Sequence, residues 1–139
     1  MGKGHLKRLA APKAWQIKRK KYKFVTKPLP GPHSLGTGIA LGTLIKDILH
    51  YANSNKEAKK ILNNNEIKVD GKVRRDFRFS IGVFDAIELV NTNVHFRVIF
   101  NKKGAIGLVK IKKEESLLKT CKITGKTMAK GKLQLNLFD

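Results

Sequence analysis

Between residues 41 and 90 the apolar positions change period twice, and each change marks an element. Leu41, Leu44, Ile45, Ile48, Leu49 and Ala52 recur three and four residues apart, with Lys46, Asp47 and His50 between them. That spacing predicts a helix with one buried face. Gly42 and Thr43 sit near its start. Asn53-Ser54-Asn55 ends it and offers capping oxygens to a second helix from about Lys56 to Leu62. Ala58, Ile61 and Leu62 lie on the core side of that helix, and Lys56, Lys59 and Lys60 on the other. Asn63-Asn64-Asn65 breaks the pattern. Ile67 and Val69 then lead into Asp70-Gly71, a dipeptide suited to the positive-φ positions of a tight hairpin turn, with Val73-Arg74 as the return strand. Phe77, Phe79, Ile81, Val83, Phe84, Ile87 and Leu89 supply enough apolar side chains to close a small core, so residues 41–90 are expected to form one compact unit.

Beyond Asn91 a period of two takes over. Val94, Phe96, Val98 and Phe100 alternate with His95, Arg97 and Ile99. Residues 101–104 read as a turn, and a second run from Ile106 to Lys112 is placed to pair back on the first. A short helix over Glu114–Leu118 and a further alternation at Leu133, Leu135 and Leu137 complete what looks like part of a β domain. The last strand has hardly finished at Asp139, which suggests a fragment or a split form of something longer. The expected fold is α+β. An extended basic arm occupies residues 1–40, a two-helix plus short-sheet module residues 41–90, and a partial β domain residues 91–139.

Residues 1–40 show no continuous apolar stripe, and there charge changes the picture. They hold ten Lys and Arg with no acid, and the first acid is Asp47. All four prolines lie here, and Pro28, Pro30 and Pro32 predict a stiff, extended linker from Lys27 to His33. Apart from short helical turns near Leu6–Leu9 or Pro12–Lys18, such a self-repelling segment is expected to stay mobile until a polyanion orders it. The chain as a whole has 139 residues and a net charge of +20, with 30 Lys and Arg against 10 Asp and Glu. The excess sits at the two ends and leaves the middle nearly balanced.

Lys18-Arg19-Lys20-Lys21, with Trp15, Tyr22 and Phe24 interleaved, has the pattern of a nucleic-acid-binding segment. Cations pair with phosphates and release counterions, while aromatic faces stack on exposed bases or on guanidinium planes. The candidate RNA contacts of the arm are Lys3, His5, Lys7, Arg8, Lys13, Trp15, Lys18, Arg19, Lys20, Lys21 and His33. Two plainer readings stay open: a charge run can be a solvated face, and Trp15 can belong to the protein's own core. A second candidate patch joins Lys56, Lys59 and Lys60 to Lys72, Arg74 and Arg75 around the hairpin. A helix face beside a two-stranded turn can straddle a phosphate backbone and recognise shape, although exposed lysines are also often merely solvated.

Other chemistries find little support. Asp70, Asp76 and Asp85 belong to turns and strand ends, and Glu114-Glu115 suit the start of a short helix. The glycines around Thr37 lack the Lys-Ser/Thr ending of a nucleotide-binding loop, and neither Ser34 nor Cys121 has a local base. The single cysteine and four scattered histidines make neither a disulfide nor a metal-ligand set, and the lone thiol favours a reducing compartment. No stretch approaches the ~20 apolar residues of a membrane span, and no apolar segment follows the first charges as in a secretory signal. A soluble, non-enzymatic protein without metal, cofactor, small-molecule substrate or membrane partner is expected.

The middle of the chain resembles the "S-four" type RNA-binding domain, two helices followed by a small sheet. The residues that carry the resemblance are Asn55-Lys-Glu-Ala-Lys-Lys-Ile-Leu62, Ile67-Lys-Val-Asp-Gly-Lys-Val73 and Asp85-Ala-Ile-Glu-Leu89. With His5-Leu-Lys-Arg-Leu-Ala-Ala-Pro-Lys-Ala-Trp15 and Gly31-Pro-His33 ahead of them, the order is similar to that of the archaeal and eukaryotic small-subunit ribosomal protein four-e family, and the archaeal type is the nearer. The resemblance implies a structural, cytoplasmic constituent of the small ribosomal subunit whose partners are ribosomal RNA and neighbouring ribosomal proteins. It also implies that the second helix, with Lys59, and the Asp70-Gly71-Lys72 turn approach structured RNA. Two departures stand out. Gly36-Thr37-Gly38 replaces a charged Arg-Glu pair usual after Gly-Pro-His, and the rest of the family's central domain and its C-terminal barrel of the KOW type have no counterpart here. The alternatives are a free RNA-binding chaperone and the RNA-binding appendage of an RNA-modifying enzyme.

Overall fold

The computed structural model describes residues 4–138, and Lys3 falls outside them. The arm opens with β1 (Leu6–Lys7) and closes with β2 (Phe24–Val25), paired antiparallel. β3 (Gly38–Ala40) pairs with β6 (Ser80–Gly82). Between them lie α1 (Leu41–Thr43), which runs into a π-helical turn (Leu44–Ile48), and α2 (Asn55–Asn63). β4 (Ile67–Val69), β5 (Lys72–Val73), β7 (Ala86–Leu89), β8 (Val94–Phe100) and β9 (Ile106–Ile111) form one antiparallel sheet in the order β5-β4-β7-β8-β9. α3 (Lys113–Ser116) leads to a separate ribbon of β10 (Lys122–Ala129) and β11 (Lys132–Phe138). The fold is α+β.

Local chemistry explains most of these boundaries. Ser54 caps α2, its hydroxyl accepting from Glu57 N at 3.1 Å, while the Glu57 carboxylate accepts from Asn53 N at 2.8 Å. Ala58 and Leu62 are fully buried on one face of α2 and the three lysines exposed on the other. Asp70 and Gly71 both have positive φ, 48° and 73°, as a two-residue hairpin of this kind requires. The first helix departs from its sequence pattern. The Leu49 amide reaches the Leu44 carbonyl, five residues back, and His50 turns left-handed at φ 53°. The wider π turn ends the helix early, so Ala52 is buried from the following loop. The same turn carries Lys46 and Asp47 toward the arm.

Gly42 is held against the Phe77 ring, where an added Cβ would lie 2.0 Å from a ring carbon. Gly42→Ala is expected to destabilise the chain by about 1–3 kcal/mol, the usual cost of overpacking, read as a lower urea midpoint with an unchanged slope.

The expected division at residues 40 and 90 is crossed by hydrogen bonds throughout. β7 pairs with β8, so one sheet spans residues 67–111. Ile106 N donates to Ala14 O at 2.7 Å, and the Arg8 guanidinium donates to Asp47 Oδ2 at 2.8 Å. The Lys27–His33 linker is fastened as well: Leu29 N donates to Arg78 O, and Arg78 Nε to Lys27 O. β8 also differs from clean alternation, since His95 is buried and Phe100 exposed. The face carrying His95 and Arg97 is covered by the α3 segment, whose Glu115 and Leu118 carbonyls accept from Arg97.

Candidate nucleic-acid interface

Carbonyls between β1 and β2 accept from turn amides and from two arginines. Arg8, 1 % exposed, donates from Nε to Phe24 O at 3.3 Å, from one terminal nitrogen to Lys18 O at 3.0 Å, and from the other to Asp47 Oδ2 at 2.8 Å. Arg19 donates to the carbonyls of Ala11 and Pro12 at 2.9 Å each, and at longer range to those of Arg8 and Leu9. A guanidinium has five donors and no acceptor, which suits it to a loop whose carbonyls converge on one point, and those of Arg8, Pro12 and Lys18 accept from a backbone amide as well. Trp15 is 2 % exposed and packs in the core with Ala11 and Val25. The expected mobile arm is therefore a closed loop with its own apolar anchor. Arg8 and Trp15 face inward, and Arg19 is half-buried and committed to the backbone.

Six lysines of the arm point outward. Lys7, Lys13, Lys18, Lys20, Lys21 and Lys23 are exposed, and among the described residues none of them meets a carboxylate. Lys13, Lys18, Lys21 and Lys46 line a cleft of about 590 Å³ between the arm and the π turn, together with Tyr22, Asp47, His50 and Asn53. A neighbouring groove joins Tyr22, Lys23 and Phe24 to Lys46 and to Asn53, Ser54 and Asn55 at the start of α2. Tyr22 separates the two. Lys21 Nζ, the Arg8 guanidinium and Lys46 Nζ lie 5.3, 5.4 and 5.6 Å from its ring centre, and His5 meets the Phe24 ring edge-on. Tyr22 and Phe24 are the aromatics that the sequence shows interleaved with the charge run, whereas Lys23, Lys46 and Asn53 stand outside the candidate contacts taken from sequence. For Lys23 the signal was its direct continuation of the run. Lys46 lay hidden in a helical pattern.

The second patch is present at the surface. Lys56, Lys59, Lys60, Lys72 and Arg75 are exposed, and Lys59 Nζ lies 5.7 Å from the Phe77 ring centre. Arg75 Nε donates to Asn65 Oδ1 at 2.7 Å, linking the hairpin to the end of α2. Arg74 is half-buried over Phe79, 4.4 Å from the ring centre.

His33 does not face outward. Its side chain is 6 % exposed, and Nε2 donates to the buried Asp85 carboxylate at 3.0 and 3.2 Å. Lys119 Nζ lies 2.7 Å from the other side of that carboxylate and also pairs with Asp70 at 2.8 Å, while Gly82 N donates to Asp85 Oδ2 at 2.8 Å. Burial alone would raise the Asp85 pKa, but the bonds from His33, Lys119 and Gly82 outweigh it and hold the carboxyl below its ordinary 3.8. A buried carboxylate needs donors, and His33 is one of them. It thus joins residues 33, 85 and 119, from all three expected units.

The geometry defines an α+β protein with a cationic, aromatic-bearing cleft formed by its arm and helices. Residues 1–36 match the RS4NT (NUC023) domain, and residues 92–139 match ribosomal family S4e. The small ribosomal subunit protein eS4 of Desulfurococcus amylolyticus is 44% identical over 139 residues, 99% of this chain and 55% of that protein. The eS4 protein of Methanococcus aeolicus is 46% identical over 136 residues, 97% of this chain and 55% of that one. A crystal structure of the 30S ribosomal protein S4e from Thermoplasma acidophilum superposes with a TM-score of 0.60 at 36% identity, covering 74% of this chain and 53% of that one. The chain belongs to the ribosomal S4e family, and it spans about half the length of the relatives it matches.

Proposed function

We propose that this chain is a structural constituent of the small ribosomal subunit that binds ribosomal RNA and stabilises its fold, with neighbouring ribosomal proteins as further partners and the cytoplasm as its location. In this reading it has no enzymatic role. Residues 41–90 act as the S-four type module of two helices and short strands, held between the basic arm of residues 1–40 and the β segment of residues 91–139. The observation that carries the reading is the set of exposed arm lysines without acidic partners around the Tyr22 cleft. The similar small ribosomal subunit proteins point to RNA as the polyanion. Mutual repulsion at such a surface is relieved by phosphate, and counterion release drives the association. Because Trp15 and Arg8 already fix the arm, little ordering cost remains at binding. Arg8, Arg19, Trp15 and His33 are positioning residues in this account, and the lysines of the arm, α2 and hairpin make the contacts.

Binding of the chain to small-subunit ribosomal RNA, titrated between about 50 and 200 mM salt, is expected to weaken with a log–log slope of about −0.7 to −0.9 per phosphate contacted. Replacing Lys18, Lys20, Lys21 and Lys23 together by Gln reduces that slope while leaving the thermal midpoint near wild type, since all four are exposed. Affinity indifferent to salt would sink the reading. Removing residues 1–27 is a poor test, because it also strips Arg8, Trp15 and Val25 from the core.

A further inference from the structure

We infer that the cleft between the arm and the π turn is a binding site for one unpaired RNA nucleotide, with its base stacked on Tyr22 and its phosphate among Lys18, Lys21 and Lys46. This deepens the RNA-binding reading and rests on it. The first observation is size. About 590 Å³ is within the range of clefts that enclose a small ligand, whereas a stacked double helix is too wide to enter a recess of that volume. A base turned out of a loop or bulge is of a size to fill it.

The second observation is the Tyr22 ring. It is 52 % exposed although it sits at the wall between two recesses, and three cations lie between 5.3 and 5.6 Å from its centre. Arg8 is neutralised by Asp47, which leaves that carboxylate, the only one lining the cleft among the described residues, already paired. Lys46 is held by a neutral partner, donating to Asn55 Oδ1 at 2.7 Å, and so keeps its full charge. Lys18 and Lys21 meet no acid among the described residues. An aromatic face beside uncompensated ammonium groups provides a stacking platform and a phosphate counter-charge within one nucleotide's reach. Asn53, with both an amide donor and a carbonyl acceptor, lines the same cleft and can reach a base edge.

The test compares the full chain and its variants on two probes, a hairpin RNA with a 2-aminopurine in its unpaired loop and a blunt duplex of equal charge. Tyr22→Ala is expected to bind the loop probe about five- to a hundred-fold more weakly, to lose the fluorescence quenching that stacking produces, and to bind the duplex within about twofold of wild type. Tyr22→Phe keeps the ring and is expected to retain both the affinity and the quenching. Tyr22 is half-exposed, so a thermal midpoint close to wild type accompanies these results. Equal loss on both probes, or none on the loop, overturns the site while leaving the RNA-binding reading intact. Competition by polyglutamate as strong as by loop RNA at equal charge overturns it too, since charge alone would then suffice. Failure of the wild-type chain to bind either RNA ends both readings.

Discussion

Arg8→Ala is expected to lower the stability of the chain by about 3–5 kcal/mol, the range for removing one partner of a buried ion pair. Arg8 is 1 % exposed and Asp47 largely covered, so the surviving carboxylate would lose its counter-charge without gaining much water. The Lys18 and Phe24 carbonyls would lose a donor at the same time. Arg8→Lys is expected to recover part of the loss, because a single ammonium cannot span three acceptors in the way a planar fork does. Urea unfolding of Arg8→Ala, Asp47→Ala and the double variant closes a thermodynamic cycle, and strong coupling between the two sites is the expected outcome. If Arg8 were instead a free phosphate contact, the single variant would unfold within about 0.5 kcal/mol of wild type and only RNA binding would suffer. That result would return the arm to the status of a loose polycation.

Arg8 also shows where sequence reading reaches its limit. Elements set by local chemistry were legible: α2 through its Ser54 cap and lysine face, the β4–β5 hairpin through Asp70-Gly71, and β8 and β9 through their spacing. The first helix was legible in place but not in length, because a π turn changes the register that a 3.6-residue period assumes. The arm was misjudged for a different reason. Composition reveals ten cations without an acid, but not that two of them point inward to backbone carbonyls, since those acceptors leave no mark in the sequence. Asp47, thirty-nine residues from Arg8, was the one available clue.

The candidate site divides along the same line. Lysines read from charge as surface groups are found exposed, because solvation of a long side chain depends little on tertiary detail. Residues whose function depends on a distant partner do not, and so His33 is a donor to Asp85 and Trp15 a donor to Gly38. Tyr22 and Lys46, twenty-four residues apart, become neighbours only because the π turn presents Lys46 toward the arm. Long-range pairing therefore decides which cations are structural and which remain free for an anion.

The same pairing predicts a second large effect, at Asp85. Replacing it by Ala removes the acceptor for His33, Lys119 and Gly82 N at once, in a carboxylate whose side chain is 3 % exposed. A loss of about 3–5 kcal/mol is expected, while Lys119 keeps its ion pair with Asp70 at 2.8 Å. The pH dependence gives the assignment its sign. The folded carboxyl titrates below the ordinary 3.8, so the folded state holds fewer protons than the unfolded state in the interval between the two values. Its contribution is complete above about pH 4 and disappears as pH falls through the folded pKa. The stability difference between wild type and Asp85→Asn, measured by urea unfolding from pH 7 downward, is thus expected to stay level and then shrink below about pH 4. A difference that widened on acidification would mean that burial dominates and the carboxyl is held neutral. Lys119 shares its ammonium between Asp85 and Asp70, and with a neutral Asp85 its ionic pairing would shift toward Asp70, so that Asp70→Asn rather than Asp85→Asn would carry the larger loss.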